Sequence, residues 1–517
     1  MISSTFHWAV IGLGAVISLW LLRRRWPGWV GLPLIVVIVL MIRDAGLGPL
    51  ANDWLHVRSS DPLIPQSTGT AATQGAKLIL YSYGALAIGM ILARIIGRLR
   101  ISRSPDLSPK AAPAPSEVPI VRRGLRPSQV RLGRQVSMLF FAIGFLAQIA
   151  VIGFLFSRRG LVAIALDRAA FTDEVALSNP VFHYARTISR LMQFGSIGLI
   201  VFARTSLARR IGIASGIIVA VNEALLGGRA RVIYAALATF LAYYYGARRI
   251  RRPTAMKALF AIISIVVILL GFIAFARLQA ESSNEAANFI LRDIITSDRL
   301  DQAAFAYRVF PELFPFRGMQ NVLITLGSAL PSISLPGVQT FYSFLVDAFF
   351  GGVSAIGGIG GYNYATSAET YSWGGVAAVM AFGVGAGLLL GSIFEWQRRR
   401  PDDPFAVVFA IIAAVTVLTA QSRMPDSIGD LSVALVAIAL MKALVLSSGR
   451  AFWLLIALAG EVFVIVGYFV TGLNFLRILI VAMLVLLYIL SIRVLAQRLG
   501  PTKESSPPPP VPTYVDA

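Results

Sequence analysis

The chain contains no cysteine in its 517 residues, so disulfides, thiolate catalysis and cysteine-ligated metals are excluded. Histidine is nearly as scarce. His7, His56 and His183 stand far apart, none with a second histidine at metal spacing, and no zinc site or other cofactor is expected. His183, in NPVFHYARTISRLMQFG, reads either as a capping or packing residue or as an outer-face base. No GxxxxGK[ST] run is present to cradle a nucleotide phosphate, which argues against ATP-driven chemistry. Charge is sparse too: Asp, Glu, Lys and Arg supply 14% of the residues, where a soluble domain carries about a quarter.

What is abundant is apolar surface. Hydrophobic residues make up 57% of the chain and mean hydropathy is +0.75. The apolar runs recur along the whole length, so one membrane domain is expected in place of several soluble ones. Spanning candidates run near 6–22, 27–42, 77–97, 136–156, 187–203, 211–227, 232–247, 256–276, 374–394, 405–420, 431–447, 452–470 and 475–492. The fold class expected is therefore all-α, a polytopic transmembrane bundle of about 11–14 helices. The N-terminus has neither a positive n-region nor a small-residue cleavage site, and its first apolar run reads as a retained helix.

The formal net charge of +21 lies between the apolar runs, as in Arg23–Arg25 and Arg248–Arg252, and not on a basic folded face. Nucleic acid is therefore not an expected partner. The basic loops alternate to one side, and the positive-inside rule puts that side in the cytoplasm. The N-terminus then lies outside and the C-terminus inside, with Arg158 and Arg159 as the exception.

Six regions follow: N-terminal helices over 1–97, a cytoplasmic linker rich in Pro and Arg over 98–135, and central helices over 136–276. A large structured extracytoplasmic loop over 277–373, C-terminal helices over 374–493 and a disordered cytoplasmic tail over 494–517 complete the chain. In the loop, NEAANFILRDII follows a Ser-Ser-Asn capping signal and carries apolar residues at helical spacing, which predicts a helix on the membrane surface or the bundle.

Ionisable residues at the edge of apolar runs mark the candidate site. In NEALLGGRARVIY, a Gly-Gly turn at the outer face precedes Arg229 and Arg231, with Asn222 and Glu223 just before it. The two arginines either snorkel to headgroups or grip a phosphate bidentately. In GGYNYATSAETYSWGGV, Glu369 marks the water-to-membrane boundary and reads either as a base for a hydroxyl or as the partner of an outer arginine. Tyr362, Tyr364 and Tyr371 beside it suit stacking on sugar rings. In QSRMPDSIGD, Arg423 is a secondary candidate beside Asp426 and Asp430, a mixture typical of a salt-bridged turn.

Arginines in GGRAR, followed by the proline-punctuated ALPSISLPG and by SAETYSWGGV leading into a glycine-rich helix, form an order over about residues 211–394 that resembles the Wzy-type O-antigen and exopolysaccharide polymerases. The resemblance implies a multi-pass protein of the bacterial inner membrane. It implies a glycosyltransferase that moves a growing glycan from undecaprenyl diphosphate onto a new lipid-linked repeat unit at the outer face. The implied roles are catalytic for Glu369 and Arg229, and substrate-binding for Arg231, Arg277, Arg317, Arg423, Tyr362, Tyr364 and Tyr371. The partners implied are the undecaprenyl-diphosphate-linked oligosaccharide and membrane lipid, with room for a chain-length regulator. Arg317 and Gly327 come one residue short of a ten-residue Arg–Gly spacing that some members carry. An O-antigen ligase differs mainly in its acceptor. A lipid-linked oligosaccharide flippase is the non-enzyme alternative, which matched broken helices in two repeats would favour.

Overall fold

A computed structural model of the chain describes residues 2–23, 31–50, 67, 69–102, 125, 127–166, 188–225, 229–246, 264, 268–269, 298–318, 365–400, 403–420 and 424–446. All regular structure among these residues is helical. The helices are α1 (Ile2–Arg23), α2 (Gly31–Met41), α3 (Gly69–Ser102), α4 (Pro127–Leu166), α5 (Leu191–Val201) and α6 (Ser206–Leu225). They continue with α7 (Arg229–Gly246), α8 (Asp298–Val309), α9 (Thr366–Arg399), α10 (Pro404–Ala420) and α11 (Met424–Leu446). Among the described residues three segments, Gly69–Gly97, Pro127–Ile149 and Thr366–Arg399, are long and apolar enough to cross a membrane. The expected spans near 452–470 and 475–492, the helix over 284–295 and most of the span near 256–276 lie outside the described residues. The chain divides into two compact units, Met1–Ala434 and Leu435–Ala517; everything that follows concerns the first.

Local chemistry sets several helix starts. Pro404 opens α10, where its missing N–H costs nothing, and the Asp403 carboxylate accepts the Phe405 N–H at 2.9 Å. Thr205 caps α6 in the same way, its hydroxyl accepting the Ala208 N–H at 3.1 Å. After α2 the chain widens into a π-helical turn, Ile42–Leu47, which buries Asp44, Ala45 and Gly46. His7 of α1 donates its Nδ1–H to the Ala45 carbonyl at 2.9 Å, a packing role for that residue.

The most extensive helix pair is α3 with α9. Its seam is made of glycines one turn apart. A Cβ on Gly383 would meet Ala85 Cβ at 2.6 Å, and one on Gly391 would meet Ala93 Cβ at 2.6 Å. Between them Gly387 abuts the Leu86 carbonyl, and Gly89 of α3 answers by abutting the Val384 carbonyl. Small residues at this spacing let two backbones approach closely, which is how apolar helices associate where burial from water no longer drives them. The pair α4 and α5 repeats the device, with Gly144 against Met192 and Gly195 against Phe141.

Candidate functional site

Helix α9 is broken near its start. Gly374 has φ −179° and ψ 36°, and Gly375 has φ 68° and ψ −153°, a left-handed conformation that strains a residue with a Cβ. The break leaves a short helix, Thr366–Trp373, whose last carbonyls have no partner within the helix. They are met from outside. Arg317 N–H donates to the Ser372 carbonyl at 2.8 Å and Gly318 N–H to the Trp373 carbonyl at 3.1 Å. Ser372 Oγ donates to the Glu369 carbonyl at 2.6 Å, and Thr370 Oγ1 to the Thr366 carbonyl at 2.6 Å. Satisfying these groups helps an interrupted helix to sit buried in an apolar bundle.

Helix α8 and the segment after it supply the opposite wall. Three side chains of its first turns hold three separate parts of the chain. Arg299 Nη1 reaches Asp44 Oδ2 at 2.8 Å and the Tyr83 hydroxyl oxygen at 2.7 Å, and Tyr83 O–H donates to the same Asp44 oxygen at 2.9 Å. Asp301 Oδ1 accepts the Ser67 N–H at 2.8 Å, just before α3. Gln302 Oε1 accepts the Ala365 N–H at 2.7 Å, where α9 begins. Leu300 and Ala304 press on Gly75 of α3, where a Cβ would fall 2.7 Å from the Leu300 carbonyl oxygen. Burial opposes the Arg299 cation, but the Tyr83 and Asp44 oxygens outweigh it and its pKa is raised well above the ordinary guanidinium value.

Beyond α8 the chain folds back so that aromatic rings gather against the short helix. Tyr307 lies 5.7 Å from Tyr371 between ring centroids, and Phe316 meets Tyr371 edge-on at 5.8 Å. Phe310 stacks on Phe316 at 6.4 Å. A Cβ on Gly375 would stand 3.1 Å from Phe316, so the break and the ring cluster touch. Glu369 is buried at 3% exposure in the first turn of α9. Burial lowers the Arg317 pKa from the usual guanidinium value, while the Glu369 carboxylate acts in the opposite sense. The arrangement thus holds a buried carboxylate, a cation and aromatic ring faces around a helix break. Among the described residues no group of three or more His, Asp or Glu is placed to hold a metal.

No family model, curated protein or solved structure matches this chain.

Of the residues singled out from sequence, Glu369, Tyr371 and Arg317 come together at the break. Arg229 and Arg231 lie in the first turn of α7. Arg277, Tyr362, Tyr364 and Arg423 lie outside the described residues. Hydropathy starts the ninth helix at Gly374, whereas it begins at Thr366; the Thr, Ser and Tyr content of its first turns hides it from an apolar-run search. Sequence reasoning passed over Asp44 and Arg299. A charge pair ends the second apolar run in MIRDAG, and that signal was present. Nothing local links it to Arg299, 255 residues later.

Proposed function

We propose that this chain is a multi-pass glycosyltransferase of the bacterial inner membrane, with about 11–14 spans, the N-terminus outside and the C-terminus inside. It moves a growing glycan from undecaprenyl diphosphate onto a lipid-linked repeat unit at the outer face. The observation that carries this reading is the buried Glu369 beside the Arg317 cation and the Tyr307–Tyr371–Phe316 rings, all at one end of α9. The other end of α9 carries Arg398, Arg399 and Arg400, which mark a cytoplasmic boundary. From Val376 to Arg399 the helix is about 36 Å long at 1.5 Å per residue, and a hydrocarbon core is about 30 Å thick. In this orientation the break would fall at the outer edge of the membrane. A transporter site belongs near the midplane, so this depth favours surface chemistry over passage through the bilayer.

In the reaction, an acceptor hydroxyl oxygen attacks the anomeric carbon of the donor glycan, and the bond from that carbon to the diphosphate oxygen breaks. The hydroxyl proton passes to Glu369, and undecaprenyl diphosphate leaves with the electron pair of the broken bond. Arginines stabilise the charge that develops on the diphosphate; Arg317, which interacts with Glu369, is one, with Arg229, Arg231, Arg277 and Arg423 as further candidates. Tyr362, Tyr364 and Tyr371 stack on sugar rings. A chain-length regulator is compatible with this role.

The test is Glu369→Gln, measured as glycan polymer on gels together with the amount of folded membrane protein. Loss of polymer with normal protein level supports the assignment. Normal polymer, or protein and polymer falling together, removes Glu369 from the reaction. Unpolymerised repeats attached to a terminal acceptor, with no extended chain in the wild type, identify a ligase.

A further inference from the structure

We propose that Trp373 is a ligand-contacting residue, its indole N–H donating to a sugar hydroxyl that in turn donates to Glu369; this rests on the glycan reading of the site. Trp373 is 3% exposed, and among the described residues its Nε1–H has no hydrogen-bond acceptor. The groups around it do have partners: the Trp373 and Ser372 carbonyls take the Gly318 and Arg317 N–H groups, and Ser372 Oγ is bonded to the Glu369 carbonyl. A buried donor left unmet weakens a fold, so natural structures rarely keep one where a side chain of the same shape without the N–H would serve. Here the ring is held rigidly, edge-on to Phe382 at 5.9 Å across the break.

Glu369 and Trp373 are four residues apart on the short helix Thr366–Trp373, which puts the carboxylate and the indole on one face, one turn from each other. An acceptor-only carboxylate and a donor-only N–H placed side by side are complementary to one kind of group, a hydroxyl, which gives one hydrogen bond and takes another. Phosphoryl oxygens can accept from the indole but have nothing to give the carboxylate at neutral pH. The pair therefore selects the sugar and not the diphosphate. Arg317, which interacts with Glu369, supplies the charge a diphosphate needs, so the two parts of a lipid-linked sugar have separate recognition groups within one site.

The experiment compares the wild-type full chain with Trp373→Phe in lipid nanodiscs, using two probes: undecaprenyl diphosphate, and the glycolipid extracted from cells lacking this protein. Trp373→Phe should bind the glycolipid at least tenfold more weakly, bind undecaprenyl diphosphate within twofold of wild type, and unfold at the same or a higher temperature without ligand. Equal loss for both probes, unchanged glycolipid affinity, or a fall of several degrees in the ligand-free unfolding temperature overturns the hydroxyl subsite while leaving the glycan reading standing. Wild-type protein that binds neither probe overturns the glycan reading and the subsite with it.

Discussion

Arg299 Nη1 lies 2.8 Å from Asp44 Oδ2, an ion pair that fastens α8 to the π-helical turn after α2. Asp44 is fully buried and the Arg299 side chain is 11% exposed, so the pair is shielded from both water and salt. Removing Arg299 leaves the buried Asp44 carboxylate with Tyr83 and the more distant Arg43, whose Nε stands 4.0 Å from Oδ1, and costs up to about 3–5 kcal/mol. Arg299→Met should therefore lower the unfolding temperature sharply in detergent. Arg299→Met combined with Asp44→Asn should recover much of it, because the amide still offers Tyr83 an acceptor and no charge is left unpaired. Equal instability of the single and double variants would show that the ion pair is not what anchors α8.

Arg317 acts twice, and its two parts are separable. Its backbone N–H caps Ser372, whereas its guanidinium interacts with Glu369. Arg317→Ala keeps the cap and should lose transfer activity, with a fall in folded yield limited to what pairing with the buried Glu369 contributes. Arg317→Pro also deletes the N–H and leaves a buried carbonyl unmet, which costs a further 1–3 kcal/mol or so. Measuring folded yield and activity for both variants checks this, and equal yields would mean the cap carries no stability.

Two glycines of α9, two residues apart, should respond oppositely. A Cβ on Gly387 collides with the Leu86 carbonyl, while one on Gly385 meets nothing within 4 Å. Gly387→Ala should destabilise by about 1–3 kcal/mol, the usual cost of overpacking. Gly385→Ala should be neutral or stabilising by up to about 1 kcal/mol through helix propensity. Thermal unfolding of the two variants in the same detergent provides the comparison.

Because the chain has no cysteine, single cysteines report topology without a background. Cysteines introduced at Ser297 and Ser116 should label from opposite sides of the membrane with an impermeant thiol reagent. Labelling from the same side would overturn the proposed orientation.

The helical class and the positions of most described helices were legible because they depend on apolar composition summed over many residues, which local sequence reports well. Glu369 and Tyr371 were legible for a related reason: polar and aromatic residues at the edge of a glycine-rich run stand out against it. The break was half visible. Gly374 and Gly375 marked the start of an apolar run, but nothing showed that the preceding Thr366–Trp373 coils into a helix of its own. The Arg299–Asp44–Tyr83 cluster, the Gln302 hold on Ala365 and the meeting of Arg317 with Ser372 are long-range pairings. Periodicity carries no trace of such contacts. Nothing in the sequence singled out Trp373, and only its burial and the partners of its neighbours mark its N–H as a donor in reserve.

The glycine seam between α3 and α9 bears on how anything reaches Glu369. Two helices whose backbones already touch along Gly383, Gly387 and Gly391 cannot part slightly; they separate fully or behave as a single strut. On the proposed reading a bulky lipid-linked sugar would enter from the other wall, where the exposed Phe316 rests against Gly375, Phe310 and Tyr371, and not from between these helices.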